Sequence, residues 1–319
     1  KIDEKNPEMN KHYQFESLMS MTGANVDERY THKPSEAGAV AAALLNAING
    51  QAVSGVSDKV KKGIEKAAKD LLANKGASLV VSGSNNMNVQ VIVNAINEAL
   101  GANGTTINWS SPLQTKQGVD SDMATLVADM EAGKVGALLI FDANPSYDYF
   151  DADKFTAALK KVKVSVSFNE RMDETTSNCK YVLPAHHYLE SWGDAEVKPG
   201  YFSFSQPTIN PLFKTRQLQD TLLKWSGSTT AYHDYFKQYW VGKLGGEEAY
   251  VKALMNGVVE TEAAAGGASF SNAKLAEAVS AVSSAKKGGK YELVLYQKAI
   301  FGDGRQANNP WLLEMPDPV

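Results

Sequence analysis

The sequence predicts an α/β fold: a doubly wound, mostly parallel sheet, then a helical insertion and the first strand of a truncated β-rich piece. Three observations predict it. Short apolar runs of strand length, Ala77–Ser82 and Val135–Phe141 above all, alternate with amphipathic stretches of helix length. A Gly, Asp or Asn follows each main run, at 83, 142 and 169, where a strand hands over to a loop. The 319 residues are 43% hydrophobic and 21% charged, an ordinary balance for a chain that buries one large core or two smaller ones.

Each element has its own justification. Residues 1–10 are charged and patternless, an extended arm. His12–Tyr30 scatters aromatics and Met around a Gly23 turn and reads as an extended segment packed on something. Ser35 is placed to cap a helix over Ala39–Ile48 that closes at Gly50. Ser57 or Asp58 caps a second helix to Ala73, with Val60, Ile64, Ala67, Leu71 and Leu72 on one face. Ala77–Ser82 reads as a buried strand, and Ser84–Asn86 caps the helix Val89–Leu100. Ile107–Trp109 is a candidate short strand. Asp120–Ala132 is a helix with Met123, Leu126, Val127 and Met130 inward, leading into Val135–Phe141, the clearest strand. A helix over Asp151–Lys160 and strands over Val162–Phe168 and Tyr181–Leu183 complete the alternation. Gln217–Trp225, Ala231–Val241 and Asn272–Ser284 read as helices, Glu260–Gly267 as a surface loop, and Tyr291–Tyr296 as a new strand. The expected organisation is an arm over 1–33, an α/β domain over 34–226, a helical segment over 227–289 and the start of a further β-rich domain over 290–319.

Composition removes several function classes. No apolar run approaches the ~18 residues that span a bilayer. A net charge of −4 argues against nucleic-acid binding through a basic surface. The single cysteine, Cys179, forms no internal disulfide and cannot by itself hold an iron–sulfur cluster or a Cys-based zinc site. The chain starts at Lys1 without a visible signal peptide and stops at Val319 without a closing element, so a piece of a longer polypeptide is expected.

Ligands in doubly wound sheets bind beyond the carboxyl ends of the strands. Those ends are Ser82–Asn85, Asp142–Pro145, Phe168–Glu170 and Leu183–Ala185. The Gly83–Asn86 junction either binds an anion on backbone N–H groups or simply caps a helix, and the absence of GxGxxG or GxxxxGK[ST] favours the cap. Asp142 and Asn144 at the best strand's end either hydrogen-bond a ligand or satisfy their own turn. The stretch Leu183–Pro211 carries His186, His187, Glu190 and Asp194. Adjacent histidines on a strand face opposite ways, so a shared metal is disfavoured, although His186 and Glu190 have helical spacing. Asp151, Asp153, Asp173 and Glu174 read as helix-start and loop charges. Cys179, in a polar loop beside Lys180, reads as an inert thiol rather than a nucleophile.

Several segments together resemble the molybdopterin oxidoreductase superfamily. Phe141-Asp142-Ala143-Asn144-Pro145 is similar to a strand ending in a G-x-N-P turn, with Asp142 where Gly is usual. Glu174-Thr175-Thr176 through Tyr181-Val182-Leu183-Pro184, then Glu190-Ser191-Trp192-Gly193, then Gln206-Pro207 through Pro211, follow that family's order and spacing. Phe15-Glu16-Ser17, Thr22-Gly23-Ala24, Asp27-Glu28-Arg29, the LESWGDA run at 189–195 and Asn309-Pro310-Trp311-Leu312 with Glu314–Pro318 narrow the resemblance to the B subunits of alternative complex III.

That resemblance implies a cofactor-free, molybdopterin-oxidoreductase-like part of the iron–sulfur subunit of a quinol-oxidising respiratory complex. It implies iron–sulfur clusters in a further C-terminal part of the same polypeptide, and no molybdopterin. It implies partners: a multihaem cytochrome c subunit, a quinol-binding membrane subunit and, as a further candidate, a terminal oxidase. It places the chain on the periplasmic face of the bacterial cytoplasmic membrane, held there through the complex. On this reading no catalytic, cofactor-binding or metal-binding residue is assigned. The alternative is an active molybdopterin-dependent oxidoreductase whose metal and cluster ligands lie outside the chain, with Asn144, Glu190 and the Ser84–Asn86 junction touching the cofactor. A soluble ligand-binding protein has only the strand-end loops in its favour.

Overall fold

The structure is a computed structural model that describes residue 5 and residues 9–115, 118–262, 269–285, 288–302 and 304–316. The chain forms two compact units, residues 1–110 with 266–319, and residues 111–265. The architecture is mixed α/β, with two small parallel sheets, one antiparallel sheet and many helices.

The first unit is chiefly helical. Strand β1 (Tyr13–Glu16) pairs parallel with β2 (Glu28–Thr31), and the Phe15 and Tyr30 rings stack at 5.2 Å. The helices Ala37–Ile48, Asp58–Ala73, Met87–Ala99 and Leu275–Ser283 share one core built on Leu45, Ile64, Ile92, Ile96 and Leu100. Ser57 caps the second helix as its spacing predicts, accepting from the Val60 N–H. Leu72 instead turns outward. Ser35 lies in a 3-10 turn ahead of its helix, and its hydroxyl and N–H both donate to Glu292. Gly63 is a required glycine: a Cβ there would sit 2.7 Å from the Tyr30 ring.

Three predicted strands do not form. Residues 77–82 run without a ladder partner. The Asn97 side chain stands in for one, accepting from the Val80 N–H at 2.9 Å and donating to the Val80 carbonyl at 2.8 Å. An apolar run supplies strand propensity, but a ladder needs a second backbone. Ile107 makes a single bridge with Asn103. Residues 291–296 carry no strand pairing. The predicted loop at 260–267 falls largely outside the described residues, as do Lys286 and Lys287.

The second unit holds the rest. Strands β3 (Ala137–Ile140), β4 (Val164–Ser167) and β5 (Tyr181–Val182) form a parallel sheet in that order, as the alternation predicts. The helices Asp120–Glu131 and Ala152–Leu159 cover one face through Val127, Met130, Phe155 and Leu159. On the other face Leu139, Val164, Tyr181 and Leu183 stay exposed. Then comes an element the sequence reading missed. Strand β6 (Gly193–Lys198) turns back through Pro199 and Gly200 into β7 (Tyr201–Ser205), and β8 (Val258–Glu260) pairs antiparallel with β7. Gly200 takes φ +76°, the left-handed conformation that this tight turn demands. The helices Tyr232–Leu244 and Glu247–Asn256 pack on this sheet through Tyr232, Phe236, Trp240 and Tyr250.

Candidate functional site

Two groups of residues in the second unit have the composition of a site. The first lies at the carboxyl ends of β3 and β4. The chain leaves β3 through Asp142, a non-glycine residue at φ +50°. Asp tolerates the left-handed region better than most side chains, so the turn forms without a glycine.

Beyond it, Asn144 is bonded at both ends. Its Oδ1 accepts from the Thr175 N–H at 3.0 Å and hydroxyl at 2.8 Å, and its Nδ2 donates to Glu174 at 2.7 Å. The Thr175 hydroxyl in turn accepts from the Ser146 N–H at 2.9 Å. Asn169, at the end of β4, donates to the Ala143 carbonyl at 2.8 Å and to Asp173 at 2.9 Å. Asp173 also accepts from the Thr176 N–H, and the Thr176 hydroxyl bonds Ser167. Thr175, Thr176 and Asn169 are buried. The network therefore ties the loop after β3 to the loop between β4 and β5. One acceptor is left over: Asn169 Oδ1 is buried with no partner.

The second group occupies Leu183–Pro211 and the start of the next helix. His186 Nδ1 lies 2.6 Å from the Thr215 hydroxyl and 3.9 Å from Glu190 Oε2. His187 caps the 3-10 turn Tyr188–Glu190, its Nδ1 accepting from the Leu189 N–H. Glu190 is buried. Its carboxylate accepts from the Leu212 N–H at 2.9 Å and the His187 N–H at 3.1 Å. The Leu212 amide holds this carboxyl below its ordinary value; burial opposes that, and the His187 amide and the two imidazoles reinforce it. Gln217 returns to Trp192, accepting from its N–H and donating to its carbonyl at 2.5 Å. Asp194 accepts from the Trp240 indole at 2.7 Å.

The structure thus gives each predicted candidate a partner from the chain itself. It brings His186, His187 and Glu190 together, and carries Asp194 away into the β6–β7 hairpin. Among the described residues no group of three or more His, Cys, Asp or Glu is arranged to hold a metal ion. Burial pushes the Cys179 thiol up, and the nearby Asp173 charge pushes it further, so the thiolate is disfavoured. Asp151 caps its helix by accepting from the Lys154 N–H, as its position predicts. In the first unit, Asn86 caps the helix Met87–Ala99, while the Gln90 amide bonds the carbonyls of Ser82 and Ser84.

Sequence reasoning missed the roles of Gln217 and Trp240. Both are buried polar-bearing side chains, and only their partners in space reveal what they do.

No family model matches the chain. Over 108 residues, 33% of its length, it is 32% identical to the menaquinone reductase, molybdopterin-binding-like subunit of Nitratidesulfovibrio vulgaris. The match takes in 16% of that subunit. A third of the chain is therefore related to a molybdopterin-binding-like subunit of a menaquinone reductase. Among the described residues no helix is long and apolar enough to cross a membrane.

Proposed function

We propose that the chain is the cofactor-free, molybdopterin-oxidoreductase-like part of an iron–sulfur subunit in a quinol-oxidising respiratory complex of the alternative complex III type. Its work is structural: it supports neighbouring redox subunits, a multihaem cytochrome c subunit and a quinol-binding membrane subunit among them, on the periplasmic face. Iron–sulfur clusters belong to a further part of the same polypeptide.

One observation carries the reading. The side chains that would greet a cofactor at the strand ends, Asn144, Asp173 and Thr175 together with the Asn169 Nδ2, are spent on partners within the chain. A pterin would have to break those bonds and approach past Asp142, where a glycine would leave room. These residues, bonded as they are, do not fit the group. The His186–Glu190 cluster is likewise committed to backbone N–H groups and a threonine.

The unpartnered Asn169 Oδ1 favours the second reading, an active molybdopterin enzyme in which a ligand N–H or O–H meets that oxygen. Metal analysis of the purified complex separates the two. Iron without molybdenum or tungsten is the expected result; stoichiometric molybdenum overturns the scaffold. In the same preparation, His186→Asn with His187→Asn should leave quinol oxidation at the parental rate, because neither imidazole serves the chemistry.

A further inference from the structure

The residues that the Glu190 cluster holds in place are the most exposed apolar side chains of their region. Leu212 is 72% exposed and Phe213 77%; Ile209 is exposed three residues earlier, and Tyr188 is exposed next to Leu189 on the segment the loop bonds. These side chains sit on two segments tied together. The N–H groups of Thr208 and Ile209 donate to the Leu189 carbonyl, and the Leu212 N–H donates to the buried Glu190 carboxylate. The His186–Thr215 bond fixes the far end of the loop, and Pro207 and Pro211 limit its backbone. A loop this well anchored does not expose Leu and Phe for want of order. Its shape is held, and its tip is apolar.

Charge says what meets the tip. Lys214 and Arg216 follow Phe213 directly, both exposed, and among the described residues neither lies within ion-pairing distance of a carboxylate. From residue 197 to residue 219 the sequence carries Lys198, Lys214 and Arg216 and no Asp or Glu, in a chain whose net charge is −4. Glu196 and Asp220 flank this run, Asp220 accepting from the Tyr232 N–H, and Glu190 is turned inward onto the Leu212 and His187 N–H groups. An apolar tip with a cationic collar matches the interface of an anionic bilayer, where acyl chains take Leu and Phe and phosphate headgroups take Lys and Arg. Lys is depleted where protein surfaces meet while Phe and Arg are enriched, so it is the charge of the collar rather than its residue types that selects an anionic surface.

We propose that the 207–216 loop is a peripheral docking element for an anionic lipid surface, with Leu212 and Phe213 entering the interface and Lys214 and Arg216 pairing with phosphate headgroups. The inference rests on the loop alone and stands whatever the metal analysis returns.

The test is flotation of the purified full-length polypeptide with vesicles of phosphatidylcholine and phosphatidylglycerol in equal parts, against phosphatidylcholine alone. Binding to the mixed vesicles, weakened by added salt, is expected. Leu212→Ser with Phe213→Ser should lower the partition about tenfold or more, and Lys214→Glu with Arg216→Glu by a similar factor, with the circular dichroism spectrum unchanged. Absent binding, equal binding to the neutral vesicles, or binding that survives the Ser pair overturns the proposal. So does a photo-crosslinker at position 213 in the assembled complex that captures a protein subunit rather than lipid.

Discussion

The two halves of the second unit solve the same problem with different chemistry. Both must hold irregular loops beside a small sheet. The parallel half does it at the ends of β3 and β4 mainly with amides and hydroxyls around buried Thr175, joined by the half-buried Asp173 carboxylate. The antiparallel half does it with aromatic packing around Trp240, and its entry loop is pinned by one buried carboxylate, Glu190. The difference teaches where a site-like cluster comes from. Hydroxyls and amides cross-link loops at modest cost in desolvation. A carboxylate does it with fewer residues, since one group accepts from two distant backbone N–H groups, but it ties the loop to pH.

The largest effect expected is at Trp240. Its ring is 1% exposed, packs edge-on to Phe202 and Phe204 at 5.0 and 4.7 Å, and donates to Asp194. Trp240→Ala should destabilise by roughly 3–5 kcal/mol through the cavity it leaves. Hydrogen exchange sharpens the comparison. Amides of β6 and β7 should lose protection first, while those of β3 and β4 keep theirs. Simultaneous loss would show that the two halves open as one cooperative unit, contrary to the division drawn here.

A smaller effect is expected from Thr175→Val. The change keeps the shape and deletes a hydroxyl that joins Asn144 to the Ser146 N–H. An unsatisfied buried donor costs roughly 1–3 kcal/mol, to be read from denaturant unfolding. A negligible change would mean that water satisfies Ser146 and that the strand-end network is looser than its geometry indicates.

The same contrast explains what the sequence made legible. β3 and β4 could be read because VGALLIF is an apolar run of strand length and VKVSVSF alternates with the strand period, although one face of their sheet stays exposed. Ala77–Ser82 carries the same signal, yet Asn97 occupies the backbone groups a neighbour would use. The β6–β7 hairpin stayed hidden because Gly193–Lys198 brings Asp, Glu and Lys into a strand with one face open to solvent. Its signal was present: Lys198-Pro199-Gly200-Tyr201 is a turn, and Tyr201–Ser205 alternates.

His186, Glu190 and Asp194 were legible as unusual residues, and Asn144 as a strand-end amide. Their tasks were not legible. Glu190 meets Leu212 22 residues on, and Asp194 meets Trp240 46 residues on. Residue type marks a candidate, and only the partner decides whether it is a ligand or a fastening.

The subtlest effect is a change in pH dependence at Glu190. Its carboxyl sits below the ordinary 4.5 in the folded protein, held there first by the Leu212 N–H. A carboxyl lowered on folding adds stability that is complete above its unfolded value and disappears as pH falls through its folded value. Glu190→Gln removes the ionisation and keeps the volume. The parent should therefore exceed the variant in stability above about pH 5, and the two denaturation curves should converge under more acid conditions. Other carboxyls lowered on folding, Glu16, Glu28, Asp70 and Glu292 in the first unit, contribute to acid sensitivity in both proteins, so the difference between the curves isolates Glu190. A difference that stays constant with pH would mean that Glu190 acts through shape alone. Neither half would then depend on a buried charge, and the contrast between them would fail.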